Sequence, residues 1–576
     1  MFKIKWDEEL NGISLTDKTK DNEEINSPRP VFNEELDLLG LNKYWDYHKS
    51  REPLLWAIGR RYYYRGIMVA EAKGGNIFES PAITLSDGWE NLQLEPIDIK
   101  KVVKKNKKAM FVLENEAMDF VENIYKVHKE NVDFFVVSFS GGKDSQVVLD
   151  IVSRVLHPED FSVIFSDTTM EIAYTYKTVE KTKKEYQNRY SDLKFYTAKS
   201  HENALEFWKE FGPPSTFQRW CSTVTKIVPF VRFINDLYKD TDKNKQPKIL
   251  VFEGVRAEES NKRSKYLRIR KNIKYLYQIN AEVIQSWNLT EVYLYLFFRG
   301  LELNKGYRYG LDRVGCSVCP FASNWNESIL SNIGNETVNQ YISIIEEYAG
   351  LLGVKDNEKI KTYIAEGQWK TRAGGRGLEN NGTMLDFSSN ENQLKAVIKK
   401  PRENFLEWLK VAGDILYREN NDRITGELRI GREIFPFEIE IKGDKEVIQF
   451  DNIGRDIIAQ NKAKKVLYKA TYCVHCGACE VECPEGALKV IPQSEVKIDT
   501  KLCTHCSNCL NFVEKGCLAA KSVNVYGGTK MKGNKIATSK YQNFGMRRDW
   551  LLLFLRSTDD WFENENNTLV SQQLSF

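Results

Sequence analysis

The sequence has no apolar run long enough to cross a membrane. A run such as WLLLFL at 550–555 is far shorter than the roughly 20 residues that a membrane-spanning helix needs. The first ten residues, MFKIKWDEEL, are charged and lack the apolar core of a secretory signal peptide. An excess of one charge is also lacking, because 83 lysines and arginines oppose 80 aspartates and glutamates. These absences predict a cytoplasmic protein with no membrane partner, and they exclude a strong overall basic field.

Cysteine is absent before Cys221 and after Cys517, and the 11 cysteines of the chain are clustered between these positions. Clustered cysteines in a reducing compartment indicate metal or redox chemistry rather than disulfides. Because the N-terminal segment has no cysteine, we predict no cysteine-ligated metal there.

The chain is long enough for several domains, since it has 576 residues. From 111 to 301, helical patterns alternate with the short apolar segments DFFVVSF, FSVIFSD, LKFYTA and KILVFEG, which predicts a parallel sheet wrapped by helices. Residues 325–420 are predicted to be mostly helical and residues 427–450 to form strands. The predicted domains are an N-terminal accessory domain, the parallel-sheet domain, a helical and β extension, a cysteine-rich module and a helical tail, at 1–109, 110–325, 326–465, 466–525 and 526–576.

The segment VVSFSGGKDSQVVLDIV, residues 136–152, joins a predicted strand to a predicted helix through two glycines. Glycines let the backbone approach a phosphate, and the first amides of a helix point at the anion with the positive end of the helix dipole. Lys143 adds a positive charge, and Ser140 and Ser145 can donate hydroxyl hydrogen bonds. The pattern differs from the G-x-x-x-x-G-K-[ST] loop that cradles terminal phosphates. We therefore predict an anion site for a different phosphate chemistry, with a ligand-free glycine turn as the alternative.

The string S-G-G-K-D-S resembles the signature of the ATP pyrophosphatase (PP-loop) superfamily. The resemblance implies that the loop holds phosphates of ATP, accompanied by Mg²⁺, or of a related adenine nucleotide. It assigns binding to Ser140, Gly141, Gly142 and Ser145, and catalytic roles to Lys143 and Asp144.

Three downstream segments are similar to the phosphoadenosine phosphosulfate (PAPS) reductase branch of that superfamily. They read FSDTTMEIAYTY (165–176), FEGVRAEESNKRSKY (252–266) and INAEVIQSWNLTEVYLYL (279–296). The resemblance implies that the nucleotide is contacted by Asp167, Thr168, Glu259 and Ser260 and that its phosphates are clamped by Arg256 and Arg263. For each arginine, an ordinary surface salt bridge is the alternative.

The segments RWCSTVTK (219–226) and RVGCSVCPF (313–321) supply Cys221, Cys316 and Cys319. A C-x-x-C pair with one remote cysteine can ligate zinc or an iron–sulfur cluster. Cluster-containing sulfonucleotide reductases have an adjacent Cys-Cys pair, but here the adjacent residue is Ser222. We predict a 4Fe-4S cluster with a fourth ligand from elsewhere or an exposed iron that could bind sulfide; zinc and three metal-free thiols are the alternatives. The chain also lacks the C-terminal E-C-G-x-H nucleophile element of PAPS reductases.

The last eight cysteines form two blocks, C-x2-C-x2-C-x3-C-P at 473–484 and C-T-H-C-S-N-C at 503–509 followed by Cys517. The blocks resemble bacterial two-cluster ferredoxins, in which the fourth cysteine of each block ligates the other cluster. This predicts two 4Fe-4S clusters, one held by Cys473, Cys476, Cys479 and Cys517 and the other by Cys503, Cys506, Cys509 and Cys483. Zinc is poorly suited to this spacing.

The predicted fold class is α/β, a doubly wound parallel sheet of the adenine nucleotide alpha hydrolase type, with a small N-terminal domain, a helical middle region and a C-terminal ferredoxin-like module. The predicted function is adenylation-dependent sulfur transfer with ATP, or with a related nucleotide such as PAPS or adenosine phosphosulfate (APS). The expected partners are a nucleic-acid acceptor, as in DNA phosphorothioation, and a sulfur-donor protein or electron donor. The alternatives are direct reduction of PAPS or APS by the fused ferredoxin, and a non-catalytic nucleotide- and redox-sensing subunit of a defence complex.

Overall fold

The computed structural model of the chain describes residues 2–17, 25–239, 246–272, 275, 277–371, 382–511 and 517–519. The predicted helical tail at 526–576 lies outside these residues. None of the described helices combines the length and the apolar composition needed to cross a bilayer.

A six-stranded sheet forms the centre of the nucleotide-binding region. Five of its strands are parallel and one edge strand is antiparallel. The parallel strands are rich in buried apolar residues because helices cover both faces, as expected for a parallel sheet. This confirms the predicted α/β fold. In spatial order the strands are Lys194–Lys199, Ser162–Asp167, Phe134–Phe139, Ile249–Glu253, Gln278–Glu282 and the antiparallel Ile269–Lys271.

The strand order reverses between Phe134–Phe139 and Ile249–Glu253, because the chain first adds strands on one side of Phe134–Phe139 and later on the other. In open α/β sheets, ligands bind in the crevice at the carboxyl ends of the strands at such a switch point. The topology therefore places the glycine loop, which follows Phe139, at the expected ligand site.

Helices flank the sheet, and the longest of them begins before the predicted domain boundary at 109/110. Ile99–His128 exposes its lysines at 100–108, while Val102, Met110 and Leu113 pack into the core. The lysine run is thus the solvated face of an amphipathic helix. The other flanking helices are Lys143–Val155, Ala173–Arg189, Ala204–Phe211, Val228–Lys239 and Leu289–Arg299.

The N-terminal residues form small β-sheets beside this domain. A hairpin pairs Lys3–Asp7 with Gly12–Thr16, and Asp46–Tyr47 pairs with Gln93–Leu94. A short helix spans Asn33–Leu38. A five-stranded sheet has the order Arg29–Val31, Leu55–Ile58, Arg61–Tyr64, Ile67–Lys73 and Ala82–Leu85.

The middle region begins with three helices, Asn324–Ile333, Asn335–Leu351 and Asn357–Ala365. The expectation of mostly helix up to residue 420 is wrong from Met384 onward, because buried residues there recur with the period of two that is typical of strands, as at Leu394, Ala396 and Ile398. These strands belong to a second six-stranded sheet, entirely antiparallel, in the order Met384–Ser389, Gln393–Lys399, Lys445–Asp451, Glu433–Lys442, Arg423–Ile430 and Asp414–Asn420.

Helices Phe405–Leu409 and Ile457–Tyr472 share the apolar core of this second sheet. Ile457–Tyr472 ends where the first cysteine block begins, so it connects the sheet to the cysteine-rich module. That module contains the short helix Ala478–Val481 and a hairpin of Leu488–Ile491 with Glu495–Ile498. The remaining short helical segments are Leu41–Lys43, Trp220–Ser222, Thr223–Ile227, Ala257–Glu259, Arg263–Lys265, Lys305–Arg308, Gln368–Thr371 and Asn508–Leu510.

Candidate functional site

The glycine loop forms a tight turn at the start of helix Lys143–Val155. Gly141 has a φ of +68°, a left-handed conformation that side chains rarely adopt. The Ser145 hydroxyl donates to the carbonyl of Gly142 at 2.9 Å and lies 3.1 Å from the hydroxyl of Ser140. The structure thus brings all four predicted loop residues together at a helix N-terminus, which is the geometry of an anion site.

Lys143 and Asp144 lie beside this turn and are joined to Arg256. The Lys143 ammonium is 3.1 Å from one Asp144 oxygen, and the Arg256 guanidinium donates to the other at 2.7 Å. Burial acts to lower the pKa of Lys143, but the Asp144 carboxylate outweighs it and the pKa is raised. Burial acts in the opposite sense on Asp144, where the two cations dominate and lower its pKa. The triad therefore stays fully charged near neutral pH.

Gly254 is a residue of this site that the sequence analysis did not single out. It follows strand Ile249–Glu253, which neighbours the loop strand in the sheet. A Cβ at position 254 would lie 2.9 Å from the backbone carbonyl carbon and oxygen of Asp144. Only glycine allows the two strand ends to approach so closely. Its place inside the predicted binding segment FEGVRAEESNKRSKY, two residues before Arg256, was the available signal.

Both arginines of the predicted clamp are already paired with carboxylates. Arg256 also donates to Glu258 at 2.7 Å, and Arg263 pairs with Glu259. The Ser260 hydroxyl accepts from the backbone amide of Arg263 at 3.2 Å. Both arginines therefore form salt bridges, but Arg256 is buried and not at the surface, and the phosphate clamp stays a prediction. The site is accordingly rich in anions as well as cations.

A second carboxylate cluster lies at the ends of the two following strands. Arg270 contacts both Glu253 and Glu282, at 3.4 and 2.8 Å, and Asn280 donates to Glu253 at 2.5 Å. One oxygen of Glu282 is buried without a hydrogen-bond partner. Burial, followed by the neighbouring Glu253 charge, raises the pKa of Glu282 to about 8.

We expect Glu282→Gln to raise the melting temperature more at pH 8 than at pH 5. The raised pKa means that the folded state holds a proton, between pH of about 4.5 and 8, that the unfolded state has released. The free energy of unfolding of the wild type therefore falls as pH rises through this window, and a neutral amide removes that loss. Thermal unfolding at several pH values measures the difference.

The matched control is Glu438→Gln, because Arg423 holds the pKa of the Glu438 carboxyl below its ordinary value. Its contribution to stability is constant from pH 5 to 8, so the effect of this substitution should not change there. A Glu282→Gln effect that is equally independent of pH would contradict the prediction.

The predicted adenosine contacts lie next to a cysteine. Asp167 ends its strand and accepts hydrogen bonds from the Thr169 amide at 2.7 Å and the Tyr176 hydroxyl at 2.8 Å. The Thr168 hydroxyl donates to Glu171 at 2.8 Å and lies 3.7 Å from the sulfur of Cys316. The predicted nucleotide contact Thr168 therefore lies next to Cys316, a member of the first cysteine group.

Cys221, Cys316 and Cys319 are close enough to influence one another electrostatically. Burial, with a further contribution from Cys319, raises the pKa of Cys221 to about 11. Burial and then the Glu171 carboxylate raise the pKa of Cys316. Cys221 lies in the short helical segment Trp220–Ser222, and the five residues that follow this segment, Thr223–Ile227, form a π-helical turn. Such turns occur frequently at functional sites, and buried thiols exchange their protons for a metal when one binds.

The eight C-terminal cysteines line two separate cavities. One is lined by cysteines from both blocks, Cys473, Cys476, Cys479 and Cys517. The other is lined by Cys483, Cys503, Cys506 and Cys509. Each cavity thus combines three cysteines of one block with the fourth cysteine of the other.

The distances between potential ligand atoms bear on whether a single metal ion could bind. Among the described residues, the only three potential ligand atoms that lie within 4.8 Å of one another belong to Glu403, Cys473 and His475. Thiolates bound to one tetrahedral zinc ion would lie about 3.8 Å apart, given Zn–S bonds of about 2.3 Å. His475 is held by Glu403 at 2.7 Å. No three cysteines of the described ranges have sulfur atoms within 4.8 Å of one another.

One apolar cluster connects the two cysteine-containing regions. Cys221 and Cys316 from the nucleotide domain and Cys476 and Cys517 from the C-terminal module all pack against it. Arg232 connects the two regions, because it pairs with Glu480 at 2.5 Å and donates a hydrogen bond to the Val490 carbonyl at 3.0 Å. The C-terminal module therefore packs directly against the helix that begins beside Cys221.

Comparison with known proteins identifies both regions. Residues 135–322 match the phosphoadenosine phosphosulfate reductase domain family, and residues 467–489 match the 4Fe-4S binding domain family. An uncharacterized protein of Methanocaldococcus jannaschii is 31% identical over 282 residues, which cover 49% of this chain and 54% of that protein. The chain thus spans about half the length of this relative.

Two further similarities concern named reductases. An adenosine 5′-phosphosulfate reductase of a Geobacillus species is 24% identical over 212 residues, covering 37% of this chain and 83% of that enzyme. The crystal structure of PAPS reductase from Candida auris, in a phosphate complex, has a TM-score of 0.26 and 19% identity, covering 41% of this chain and 97% of that one.

The two family matches contain most of the groups described above. The first includes the glycine loop, Arg256 and all three cysteines of the first group, and the second includes the whole first block of the C-terminal module. Residues 135–322 are therefore a PAPS reductase domain, fused in one chain to a 4Fe-4S ferredoxin domain that contains residues 467–489.

Proposed function

We propose that this chain is an iron–sulfur enzyme that binds ATP at 140–145 and carries out adenylation-dependent sulfur transfer, with electrons supplied by its own ferredoxin module. The supporting observation is the apolar cluster against which Cys221, Cys316, Cys476 and Cys517 all pack. A redox module packed directly on the nucleotide domain can deliver electrons without a separate carrier. Iron–sulfur clusters, when bound at these cysteines, transfer electrons one at a time.

The reaction balances in two stages. An acceptor oxygen attacks the α-phosphorus of ATP, the bond to the β-phosphate oxygen breaks, and pyrophosphate leaves. Sulfide then replaces the activated oxygen, which departs with AMP. If sulfur arrives as a persulfide, two electrons and one proton convert it to a thiolate and hydrosulfide (R–S–S⁻ + 2e⁻ + H⁺ → R–S⁻ + HS⁻). The fused module has two predicted one-electron centres, so it could supply the two electrons that this step requires.

The charges at the phosphate loop favour ATP with Mg²⁺ over a nucleotide bound by arginines alone. Asp144, Glu258 and Glu259 occupy the donors of Arg256 and Arg263. Mg²⁺ binds carboxylate and phosphate oxygens, so a magnesium nucleotide would engage these acids and leave the arginines for the phosphates. Lys143, held by Asp144 at 3.1 Å, would then neutralise charge on the leaving pyrophosphate.

Reduction of a sulfonucleotide is the second candidate, favoured by the same direct junction and by the 24% identity to an APS reductase. Two electrons break the bond between sulfur and the phosphate oxygen, and APS becomes AMP and sulfite (APS²⁻ + 2e⁻ → AMP²⁻ + SO₃²⁻). This reaction consumes no ATP, so the products distinguish the two candidates.

Incubation of the anaerobically reduced protein with α-labelled ATP tests the proposal, with and without DNA or tRNA and with a persulfide as sulfur source. The expected result is AMP and pyrophosphate formation that depends on an acceptor. Parallel reactions contain PAPS or APS in place of ATP. Intact ATP with sulfite release from a sulfonucleotide would establish the second candidate instead. No turnover in either series, with ATP still bound, would leave the chain as a non-catalytic nucleotide sensor.

A further inference from the structure

Lys469 is a buried lysine that touches both cysteine groups of the C-terminal module. It lies on helix Ile457–Tyr472 and its exposed fraction is only 1%. Its ammonium donates to the backbone carbonyl of Cys509 at 3.0 Å. The same side chain lines the cavity of Cys473, Cys476, Cys479 and Cys517. Lys469 therefore lies between the two sites.

The surroundings of this ammonium supply little negative charge apart from the cysteines. Its centre is 4.0 Å from the ring centre of Trp408, an attractive cation–π contact. Among the described residues it has no carboxylate partner, and the titratable groups nearest to it are Cys479, Cys517, Cys509 and Cys473. A buried, unpaired ammonium is strongly unfavourable. The compensating charge must therefore come from thiolates and the groups that they bind.

We propose that Lys469 is a fixed positive charge shared by the two iron–sulfur sites, where it raises the reduction potential of both clusters and balances their negative charge. The net charge around a cluster and the hydrogen bonds to it set its potential. A cation in a low-dielectric interior stabilises the more negative, reduced state of each cluster. In this role Lys469 does not ligate iron and acts on the clusters only through its charge. The inference rests on the proposed pair of clusters in this module.

The test compares Lys469→Met, which keeps an unbranched chain without the charge, with Lys469→Arg, which keeps the charge. Lys464→Met is the matched control, because Lys464 lies on the same helix but contacts Gln460 and Phe387 instead of the cysteines. The full-length holoprotein of each variant is purified anaerobically. Iron and sulfide are counted, and cluster potentials are measured by redox titration monitored by electron paramagnetic resonance.

Lys469→Met is expected to shift both ferredoxin potentials to more negative values, while the Lys464→Met potentials remain those of the wild type. Loss of iron in Lys469→Met but not in Lys469→Arg would also support the charge role. Unchanged potentials with full iron content would overturn the proposal, and so would loss of iron in both variants, because packing would then be the decisive property. Two clusters require about 8 irons in this module, so a lower wild-type count would instead refute the cluster assignment.

Discussion

Cys316→Ala will remove about four irons per chain, from about 12 to about 8, since each cubane contains four, and it will abolish sulfur transfer. We expect the loss of activity because Cys316 lies beside the predicted nucleotide site. Its sulfur is 3.7 Å from the Thr168 hydroxyl, and its backbone pairs with that of Glu171. Loss of one of only three cysteine ligands should release the whole cluster, while the ferredoxin cysteines remain intact. Iron and acid-labile sulfide analysis on anaerobic protein, followed by the labelled-ATP reaction, measures both effects.

Ser317→Ala is the control for this substitution. Ser317 is the buried neighbour of Cys316, and its backbone amide, which the substitution retains, donates to Met170 at 2.7 Å. This variant should keep both iron content and activity. A wild-type count of about 8 irons, unchanged by Cys316→Ala, would show that the first cysteine group holds no cluster. Sulfur transfer that survives Cys316→Ala would contradict its proposed role directly.

Gly254→Ala is expected to weaken nucleotide binding by about 10- to 100-fold. The new methyl group would lie 2.9 Å from the Asp144 backbone, and backbone at the end of a buried strand cannot move aside as a flexible side chain would. Overpacking of this kind costs about 1–3 kcal/mol, and about 1.4 kcal/mol corresponds to a tenfold change in affinity. The displaced segment carries Lys143, Asp144 and the helix start. Calorimetric titration with ATP–Mg²⁺ and with APS gives the affinities.

Gly350→Ala is the matched control, because nothing lies within 4 Å of a Cβ at that position in helix Asn335–Leu351. Alanine is favoured over glycine within helices by about 1 kcal/mol, so this variant should be at least as stable as the wild type and bind nucleotide equally well. Wild-type affinity in a folded Gly254→Ala protein would show that the nucleotide does not depend on the approach of the two strand ends.

The local motifs were predictable because each is made by residues close together in the chain. The glycine loop needs only a strand, a turn and a helix start, and all of these lie within 136–152. The alternation of apolar strands with helices likewise predicted the parallel sheet, which the structure confirms. The cysteine steps of three residues identified the ferredoxin module, whose first block matches the 4Fe-4S binding domain family.

Other features were missed or mistaken because they depend on contacts between distant segments. The strands between Met384 and Asn420 were assigned to helix, since sheet pairing with segments far along the chain outweighs weak local preferences, whereas the strands predicted at 427–450 are confirmed. The pairing of Arg256 with Asp144 joins residues 112 positions apart. Lys469 was not singled out from the sequence, and only its burial against Trp408 and beside the two cysteine groups reveals its special environment.

Local spacing along the chain predicted a phosphate loop, located a group of three cysteines and identified a ferredoxin module. Only the fold shows how these parts are joined: Cys221, Cys316, Cys476 and Cys517 pack against one apolar cluster, and Gly254 closely approaches Asp144. The physical reason is that motifs depend on backbone geometry over a few residues, whereas junctions depend on burial and charge pairing between segments that only the completed fold brings together.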